Sequence, residues 1–368
     1  MSVGIGIIGL PKSGRTTVFN ALTKGKVDTS SHTHDSSAHH VGIVKVPEPR
    51  LKFLADILQP KRTVSAEIAY IDVGVSVADL VKEKTVTGQL LNQIRNVDTM
   101  INVVRAFTDD TVPHIEGSLD VERDITAMTL ELTFSDLALI DRRLERINIS
   151  LKGAKSPERP NLLREQVLLT TLKTDLEKDI PIRELALTDE QTRTITNYQL
   201  LTAKPLLVIV NISEDQLAQA ESIEAKLATR CSQSNFGLIT LCSKLEMELT
   251  QLDNGAAKEL RNEFGVGESG LARVIKLSYE LLGLVSFFTV ASGEVKAWAI
   301  KKDTEAIKAA GKIHTDMEKG FIRAEVIGYD DLMKCDGLPQ ARKKGLTRLE
   351  GKSYKVQDGD VITFLFNI

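Results

Sequence analysis

The first 23 residues combine an apolar run, a glycine-containing loop and a helical pattern. Val3–Ile8 is short and uncharged, which is typical of a buried strand. Residues 9–14 contain two glycines, a proline and a serine, which predict a loop. From Thr16 onward, Phe19 and Leu22 recur at helical spacing. This order of strand, loop and helix predicts a parallel α/β sheet.

The loop has the spacing of a phosphate-binding loop. Gly9 and Gly14 are five residues apart, and the basic Arg15 and the hydroxyl residue Thr16 follow. Glycines let backbone N–H groups surround a polyphosphate, the next helix presents its positive end, and a threonine hydroxyl completes a magnesium shell. We therefore favour nucleotide or phosphate binding over a strand-to-helix turn without a ligand. Arginine replaces the usual lysine with a wider, planar group, and Lys12 is a candidate to compensate.

Asp72 is a second candidate residue for binding near the phosphates of a nucleotide, because it directly follows the apolar run 68–71. P-loop proteins place an acid at such a position to hold magnesium, although an aspartate at a strand end is also common for structural reasons. Val75 stands where the Asp-x-x-Gly pattern requires glycine, and Ser76 stands where small GTPases orient water with glutamine. The sequence therefore offers no water-positioning side chain.

Asn211 and Glu214 directly follow another apolar run, 206–210. Guanine-specific proteins have Asn-Lys-x-Asp there, because the carboxylate accepts hydrogen bonds from N1 and N2 of guanine. Ile212 replaces the lysine and Glu214 replaces the aspartate, so the motif no longer selects guanine and adenine is permitted. A simpler interpretation, compatible with this one, is that Ser213 caps the following helix.

Other segments predict how the chain is divided. Further buried strands are expected at 66–71, 100–104, 206–210 and 238–242. Between about residues 121 and 176, apolar residues step by three and four, which predicts two helices packed as an antiparallel hairpin with a break at 153–160. Beyond Leu284, strand patterns at 294–300 and 361–366 flank a mixed region and predict a small α+β domain.

Composition excludes several classes of function. The length of 368 residues predicts roughly two to three domains. With 47 basic and 50 acidic residues, the net charge of −3 excludes nucleic-acid binding by bulk attraction. The basic segment 340–355 is either a local RNA-facing patch or a solvated face. No run approaches the roughly 18 apolar residues of a membrane span, and the first apolar run lacks the flanks of a signal peptide.

Cysteine and histidine usage argues against a structural metal site. Three cysteines without CxxC spacing predict neither a disulfide framework nor a thiolate zinc site and suit a reducing cytoplasm. Four histidines crowd one polar segment, where we favour a solvated loop over a divalent-metal site. They are His32, His34, His39 and His40.

These motifs, with others along almost the whole chain, resemble those of the Obg-related YchF, or Obg-like, ATPases of the translation-factor-related P-loop class. The matching segments are 9–11, 19–22, 41–44, 49–51, 96–98, 103–105 with Phe107, 199–205, 211–214, 244–246, 311–324 and 357–360. The resemblance implies an α/β P-loop G domain (1–118 and 200–282), an inserted α-helical coiled-coil hairpin (119–199) and a C-terminal α+β domain of the β-grasp (TGS) type (283–368).

The resemblance also implies ATP in preference to GTP, bound with Mg²⁺, and a ribosomal partner, either rRNA or a ribosomal protein, in the cytoplasm. No membrane or DNA partner is expected. The implied nucleotide-binding residues are Gly9, Pro11, Lys12, Ser13, Gly14, Arg15, Thr16, Thr17, Asn211, Ile212, Glu214, Cys242 and Ser243. The implied metal-site residues are Thr16 and Asp72.

Three departures from the family pattern lie on the phosphate side: Arg15, Val75, and the segment 30–40, which lacks the family's aromatic, proline and threonine pattern. We therefore predict a divergent member that binds ATP or GTP, hydrolyses it slowly and acts as a ribosome-associated switch. The alternative is a pseudo-NTPase that serves as a ribosome- or RNA-binding module. A P-loop kinase is less favoured, because the sequence has no obvious lid with clustered arginines.

Overall fold

The computed structural model describes residues 3–25, 40–73, 94–109, 111–153, 157–228, 235–291, 293–335 and 337–367. His32, His34, His39, Val75 and Ser76, on which predictions were made, lie outside these residues. The chain divides into two compact units, residues 3–42 with 69–274 and residues 43–68 with 275–368. Each unit is built around a six-stranded sheet.

The first sheet has the strand order β2-β4-β1-β5-β6-β7. Its strands are β1 (Val3–Ile8), β2 (His40–Lys45), β4 (Glu67–Asp72), β5 (Thr99–Arg105), β6 (Leu206–Asn211) and β7 (Phe236–Leu241), whereas β3 (Arg62–Val64) belongs to the second sheet. The pairs β1–β5, β5–β6 and β6–β7 are parallel. Every residue of β5 and β6 is buried, as expected of central strands covered on both faces.

The helices of the first unit are α1 (Arg15–Thr23), α3 (Val121–Gly153), α4 (Arg159–Leu176), α5 (Asp189–Thr196), α6 (Ala220–Ala228), α7 (Ser243–Leu249) and α8 (Asn254–Glu263), and α9 (Gly270–Leu281) crosses into the second unit. Short 3₁₀ turns lie at Ile182–Glu184, Leu201–Ala203 and Glu214–Gln219.

The predicted pair of long helices is present. Ile140 and Ile147 of α3 are buried in one cluster with Leu169 and Leu172 of α4, so the apolar residues at three- and four-residue spacing form the contact between them. The predicted break included Pro160, but this residue lies in the first turn of α4. Proline is tolerated there because the first N–H groups of a helix have no partner within the helix.

The second sheet has the order β11-β10-β12-β8-β9-β3. Its remaining strands are β8 (Leu284–Ala291), β9 (Glu294–Lys301), β10 (Phe321–Gly328), β11 (Arg348–Glu350) and β12 (Asp360–Phe366). The second unit also contains α2 (Pro49–Leu58), α10 (Ala306–Ile313), α11 (Thr315–Lys319), α12 (Tyr329–Leu332) and α13 (Leu338–Lys343). Strands β8 and β9 form an antiparallel pair, and β12 lies parallel to β8.

Residues 43–68 supply α2 and β3 to this second unit. Strand β3 pairs in parallel with β9. The Arg50 guanidinium group lies 2.7 Å from a carboxylate oxygen of Glu48 and 2.7 Å from one of Asp358, and 5.4 Å from the ring centre of Phe288. A segment close to the N-terminus thus completes the packing of the C-terminal sheet. The predicted three-domain division stays a prediction, because the two units do not separate the helical hairpin from the first sheet.

Candidate functional site

The loop between β1 and α1 has a backbone that requires its two glycines. Gly9 and Gly14 have φ of +153° and +93°, and Lys12 between them has φ of +65°. A Cβ atom on Gly14 would lie 2.2 Å from Nδ2 of Asn211, and one on Gly9 would lie 2.4 Å from the carbonyl oxygen of Val103. Both positions therefore need glycine for conformation and for close approach. Gly14 precedes α1 without a side-chain cap, and the first turn of α1 carries no acid, so its positive end suits an anion.

The metal-site residues predicted from the sequence, Thr16 and Asp72, are in contact. The Thr16 hydroxyl donates a hydrogen bond to Oδ2 of Asp72 over 3.0 Å. Asp72 is only 2% exposed, and its Oδ1 has no hydrogen-bond partner within the described residues. Burial raises the pKa of Asp72, whereas the nearby Arg15, the Thr16 hydroxyl and His40 lower it. A buried carboxylate oxygen without a partner beside a hydroxyl group fits a hydrated Mg²⁺, which takes few protein ligands beside waters and phosphate oxygens.

The side chain of Arg15 points to the main chain at the end of β4. Its NH1 donates a hydrogen bond to the carbonyl oxygen of Val73 over 2.7 Å. Burial lowers the pKa of Arg15, and the attraction of Asp72 opposes that shift. Lys12, in contrast, is exposed in the loop. The two cations of the loop thus have different surroundings: Arg15 joins the start of α1 to the chain after β4, and Lys12 is accessible to a phosphate group.

Asn211 connects the loop to the opposite side of the site. It lies at the end of β6 and is 2% exposed. Its Nδ2 donates to the carbonyl oxygen of Ser13 over 3.0 Å, and its Oδ1 accepts from the N–H of Ser243 over 3.2 Å. Since Ser243 begins α7, one buried amide holds the phosphate loop against that helix.

A cavity of about 540 Å³ extends from this loop along the ends of β6 and β7, which is a size that suits a nucleotide. Its lining residues come from the loop and α1, from the segment after β5, and from the segments after β6 and β7. They are Gly14, Thr17, Phe107, Thr108, Asp109, Asn211, Ile212, Ser213, Glu214, Asp215, Cys242, Ser243, Lys244 and Met247. At the mouth, Nζ of Lys244 lies 3.5 Å from Oε1 of Glu214.

Two predicted base-side residues, Ile212 and Cys242, and the predicted cap residue Ser213 do more than line the cavity. The Ile212 side chain is packed in the hydrophobic core, so only its backbone faces a ligand. Cys242, expected at the end of a strand, instead precedes α7 as its N-cap, and burial raises the pKa of its thiol. Ser213 precedes the 3₁₀ turn after β6, and its N–H and hydroxyl both donate hydrogen bonds to Oε1 of Gln216 over 2.9 Å.

Phe107, Thr108 and Asp109 line the cavity but were not among the site residues predicted from the sequence, although Phe107 belongs to a segment that resembles the family pattern. The guanidinium carbon of Arg105 lies 4.6 Å from the ring centre of Phe107, and its Nε donates to the Phe107 carbonyl oxygen over 3.1 Å, so β5 holds this aromatic ring at the cavity wall. A hydrogen bond from the Thr111 hydroxyl is the main cause that lowers the pKa of Asp109. These residues could have been predicted from their position, because residues 106–109 directly follow a predicted central strand and α/β proteins bind ligands at that end of the strands.

The basic segment at residues 340–355 has the ion pairs of a solvated protein surface. In the basic segment 340–355, three of the six cations already pair with acids, since Arg342 binds Glu325, Arg348 lies near Glu350 and Lys355 lies near Glu305. Across the described ranges no group of three histidine, cysteine or acidic residues could hold a metal ion. In the same part of the chain, no helix has the length and apolar character needed to cross a bilayer.

The strands β1, β5, β6 and β7 are parallel, and a glycine loop joins β1 to α1 beside a nucleotide-sized cavity. This arrangement defines a P-loop nucleotide-binding domain. The family model YchF-GTPase_C, described as a protein of unknown function (DUF933), matches residues 284–367. The ribosome-binding ATPase YchF of Bacillus subtilis (strain 168) is 38% identical over 370 residues, and that of Escherichia coli O157:H7 is 34% identical over 368, each with full coverage of both chains. The chain belongs to the YchF family.

A solved structure agrees with this assignment. The Schizosaccharomyces pombe YchF GTPase superposes with a TM-score of 0.82 at 30% identity, covering 99% of this chain and 98% of that one. The predicted family and the predicted fold class, a P-loop domain with a further C-terminal domain, are thereby confirmed.

Proposed function

We propose that the chain binds ATP with Mg²⁺ in the cavity beside the phosphate loop, hydrolyses it slowly, and uses the cycle as a ribosome-associated switch. The observation that carries the proposal is the continuity of the site: Gly14 and Asn211 line one cavity, and Asn211 is hydrogen-bonded to the loop itself. Relatives that are similar over their full length are named ribosome-binding ATPases.

Adenine is the proposed base. Ile212 and Glu214 replace the lysine and aspartate of a guanine-selecting motif, and the Glu214 carboxylate is already close to Lys244. A carboxylate in this pairing is a weaker acceptor for the N1 and N2 hydrogens of guanine. The ring of Phe107 supplies an apolar surface that any purine can contact.

Slow turnover of ATP is proposed because Arg15 stands in the phosphate loop where P-loop proteins usually have a lysine. Arg15 donates to the Val73 carbonyl oxygen, which leaves Lys12 as the exposed positive charge of the loop. Stabilising charge that develops on the transferring phosphate requires a cation placed at that position in advance. Thr16 and Asp72 would hold Mg²⁺, which neutralises charge on the terminal phosphates.

The domain limits given above, with a G domain, an inserted helical hairpin and a TGS domain, are part of the proposal. So is a ribosomal contact through rRNA or a ribosomal protein, which implies the cytoplasm. Exposed cations outside the pairs described above, Lys343 and Lys352, are candidates for that contact.

The test is an equilibrium titration of nucleotide-stripped protein with non-hydrolysable ATP and GTP analogues, with and without Mg²⁺. We expect ATP to bind more tightly than GTP, and Mg²⁺ to strengthen binding. Glu214→Asp should narrow the preference for adenine. Thr16→Ala should lower the Mg²⁺-dependent part of the affinity and the ATP turnover, whereas Thr16→Ser, which keeps the hydroxyl, should retain most of both.

Two results would contradict the proposal. Failure of both nucleotides to bind would leave a ribosome-facing protein without a switch. Turnover that is unchanged in Thr16→Ala would assign the activity to another site or to a contaminant. Co-sedimentation with ribosomes, measured with and without the ATP analogue, then tests whether the nucleotide controls the ribosomal contact.

A further inference from the structure

The first unit has a second polar cavity, of about 500 Å³, that shares none of its described lining residues with the nucleotide cavity. Apolar side chains form part of its wall, including those of Ile182, Leu187 and Ile195. Two cationic residues, Arg183 and Lys204, also line it. An apolar wall with a few polar groups that converge on the space is the usual composition of a small-molecule site.

Arg183 is buried without adequate partners. The residue is 6% exposed, and the only hydrogen bond of its guanidinium group within the described residues is NH1 to the Thr202 carbonyl oxygen, at 3.4 Å. Its Nε has no partner in the same part of the chain. Burial lowers the pKa of Arg183 to about 10, although Glu184 and Asp136 attract its charge. An arginine in this state is stabilised by any anion that reaches it.

Three cationic residues, Arg95, Arg183 and Lys204, are buried in this region. The fully buried Asp136 attracts the charge of both arginines. Asp136 is already engaged, because it accepts hydrogen bonds from the N–H and the hydroxyl of Thr202 and lies 3.8 Å from NH2 of Arg95. Nζ of Lys204 donates to the Val97 carbonyl oxygen over 2.6 Å, which holds this second cation in the cavity wall.

We propose that this cavity binds a small organic oxyanion, with the phosphate or carboxylate head on Arg183 and an apolar body against Ile182 and Ile195. The guanidinium group presents paired donors that match two oxygens of such a head group. Asn96 and Asp98 line the same cavity and are exposed, so they mark its opening to solvent. The proposal is independent of ATP binding, because it uses other residues.

The charges of its lining residues exclude a neighbouring cavity as the anion site. Arg183 also lines a smaller cavity of about 340 Å³, but Glu122, Asp179 and Glu184 stand in its wall. These carboxylates repel an anion, whereas the larger cavity has Asp98 as its acidic lining residue against two cations. The larger cavity is therefore the site.

The experiment uses the full chain with its nucleotide site filled by Mg-ADP, so that the phosphate loop is not available to the probes. Phenyl phosphate and benzoate are titrated separately by calorimetry, and the methyl resonances of Ile182 and Ile195 are followed by NMR. Binding of either probe with shifts of both methyl groups supports the proposal. If only phenyl phosphate binds, the head group of the natural ligand is a phosphate. If only benzoate binds, the head group is a carboxylate.

Arg183→Met removes the charge at similar volume and should weaken binding by roughly tenfold or more. Arg164→Met is the matched control, because that arginine is 72% exposed and should leave binding unchanged. If Arg183→Met does not fold, Arg183→Lys makes the same comparison by removing the paired donors. The proposal is overturned if millimolar probe shifts neither methyl resonance, or if a folded Arg183 variant binds as tightly as the wild type. Neither readout depends on ATP turnover, so this test and that of the proposed function fail separately.

Discussion

Replacement of Asn211 tests whether one buried amide joins the two halves of the nucleotide site. Its side chain is the donor to the Ser13 carbonyl oxygen and the acceptor for the Ser243 N–H. In Asn211→Ala both backbone groups lose their partner at a position where the native side chain is almost inaccessible to water. The change therefore affects the free energy of unfolding and the shape of the phosphate loop together.

The magnitude follows from those two hydrogen bonds. A buried polar group left without a partner costs about 1–3 kcal/mol, so two of them predict a loss of about 2–6 kcal/mol in unfolding free energy. Asn211→Asp keeps an acceptor for Ser243 but places a carboxylate oxygen against the Ser13 carbonyl oxygen, and is expected to cost at least as much. Glu214→Gln in the same motif is the control. It removes a solvent-accessible ion pair and should change stability by less than about 1 kcal/mol.

Urea unfolding of the nucleotide-free proteins measures the stability difference, and titration with the ATP analogue measures the effect on binding. We expect Asn211→Ala to lower both, and the loss of affinity to include the phosphate side, so that ADP and ATP are weakened alike. The reasoning is refuted if Asn211→Ala unfolds within about 0.5 kcal/mol of the wild type, since surface substitutions produce changes of that size.

Three further predictions concern other parts of the molecule. Burial raises the pKa of Asp72 in the folded protein above the unfolded value of about 3.9. The stability that the protonated carboxyl group contributes is therefore fully present below the unfolded pKa, and it is lost as the pH rises through the folded pKa. Asp72→Asn should therefore raise the neutral-pH melting temperature of the nucleotide-free protein and weaken Mg²⁺-dependent binding; a lower melting temperature contradicts this. Arg15→Lys should cost about 1–3 kcal/mol through loss of the bond to Val73 and raise ATP turnover, and unchanged values in both assays would exclude the assigned role. A fragment of residues 284–367 should lack dispersed NMR signals until a peptide of residues 43–68 is added, whereas a dispersed spectrum without the peptide would show that the segment is dispensable.

Local sequence patterns predicted most elements of the first unit. The apolar run before Asp72 ends where β4 ends, and the three- and four-residue spacing of leucine and isoleucine identified α3 and α4. These signals succeed because burial of a strand or of one helix face leaves a periodicity in the sequence. The end of β7 was placed one residue too late, since Cys242 is apolar but serves as the N-cap of α7.

The local sequence patterns did not predict contacts between residues that are distant in the sequence. Nothing in the composition of residues 62–64 indicates that they pair with β9, because a three-residue edge strand has no periodicity of its own. The direction of the Arg15 side chain and the placement of Phe107 at the cavity depend likewise on neighbours that are distant in the sequence. The loop motif predicted which residues surround a phosphate, and the tertiary structure determined which of its cations is accessible.

The early segment that completes the second sheet also has a consequence for biosynthesis. Residues 43–68 leave the ribosome before β9 and β12 exist, since about 225 residues separate them from β9 and about 290 from β12. At a synthesis rate of about 5–20 residues per second, this segment waits on the order of 10–60 s for its partners. During that time the apolar face of α2, including Leu51 and Leu54, is uncovered. Folding of the nascent chain therefore cannot proceed strictly from the N-terminus, and α2 is a natural point of contact for a chaperone during translation.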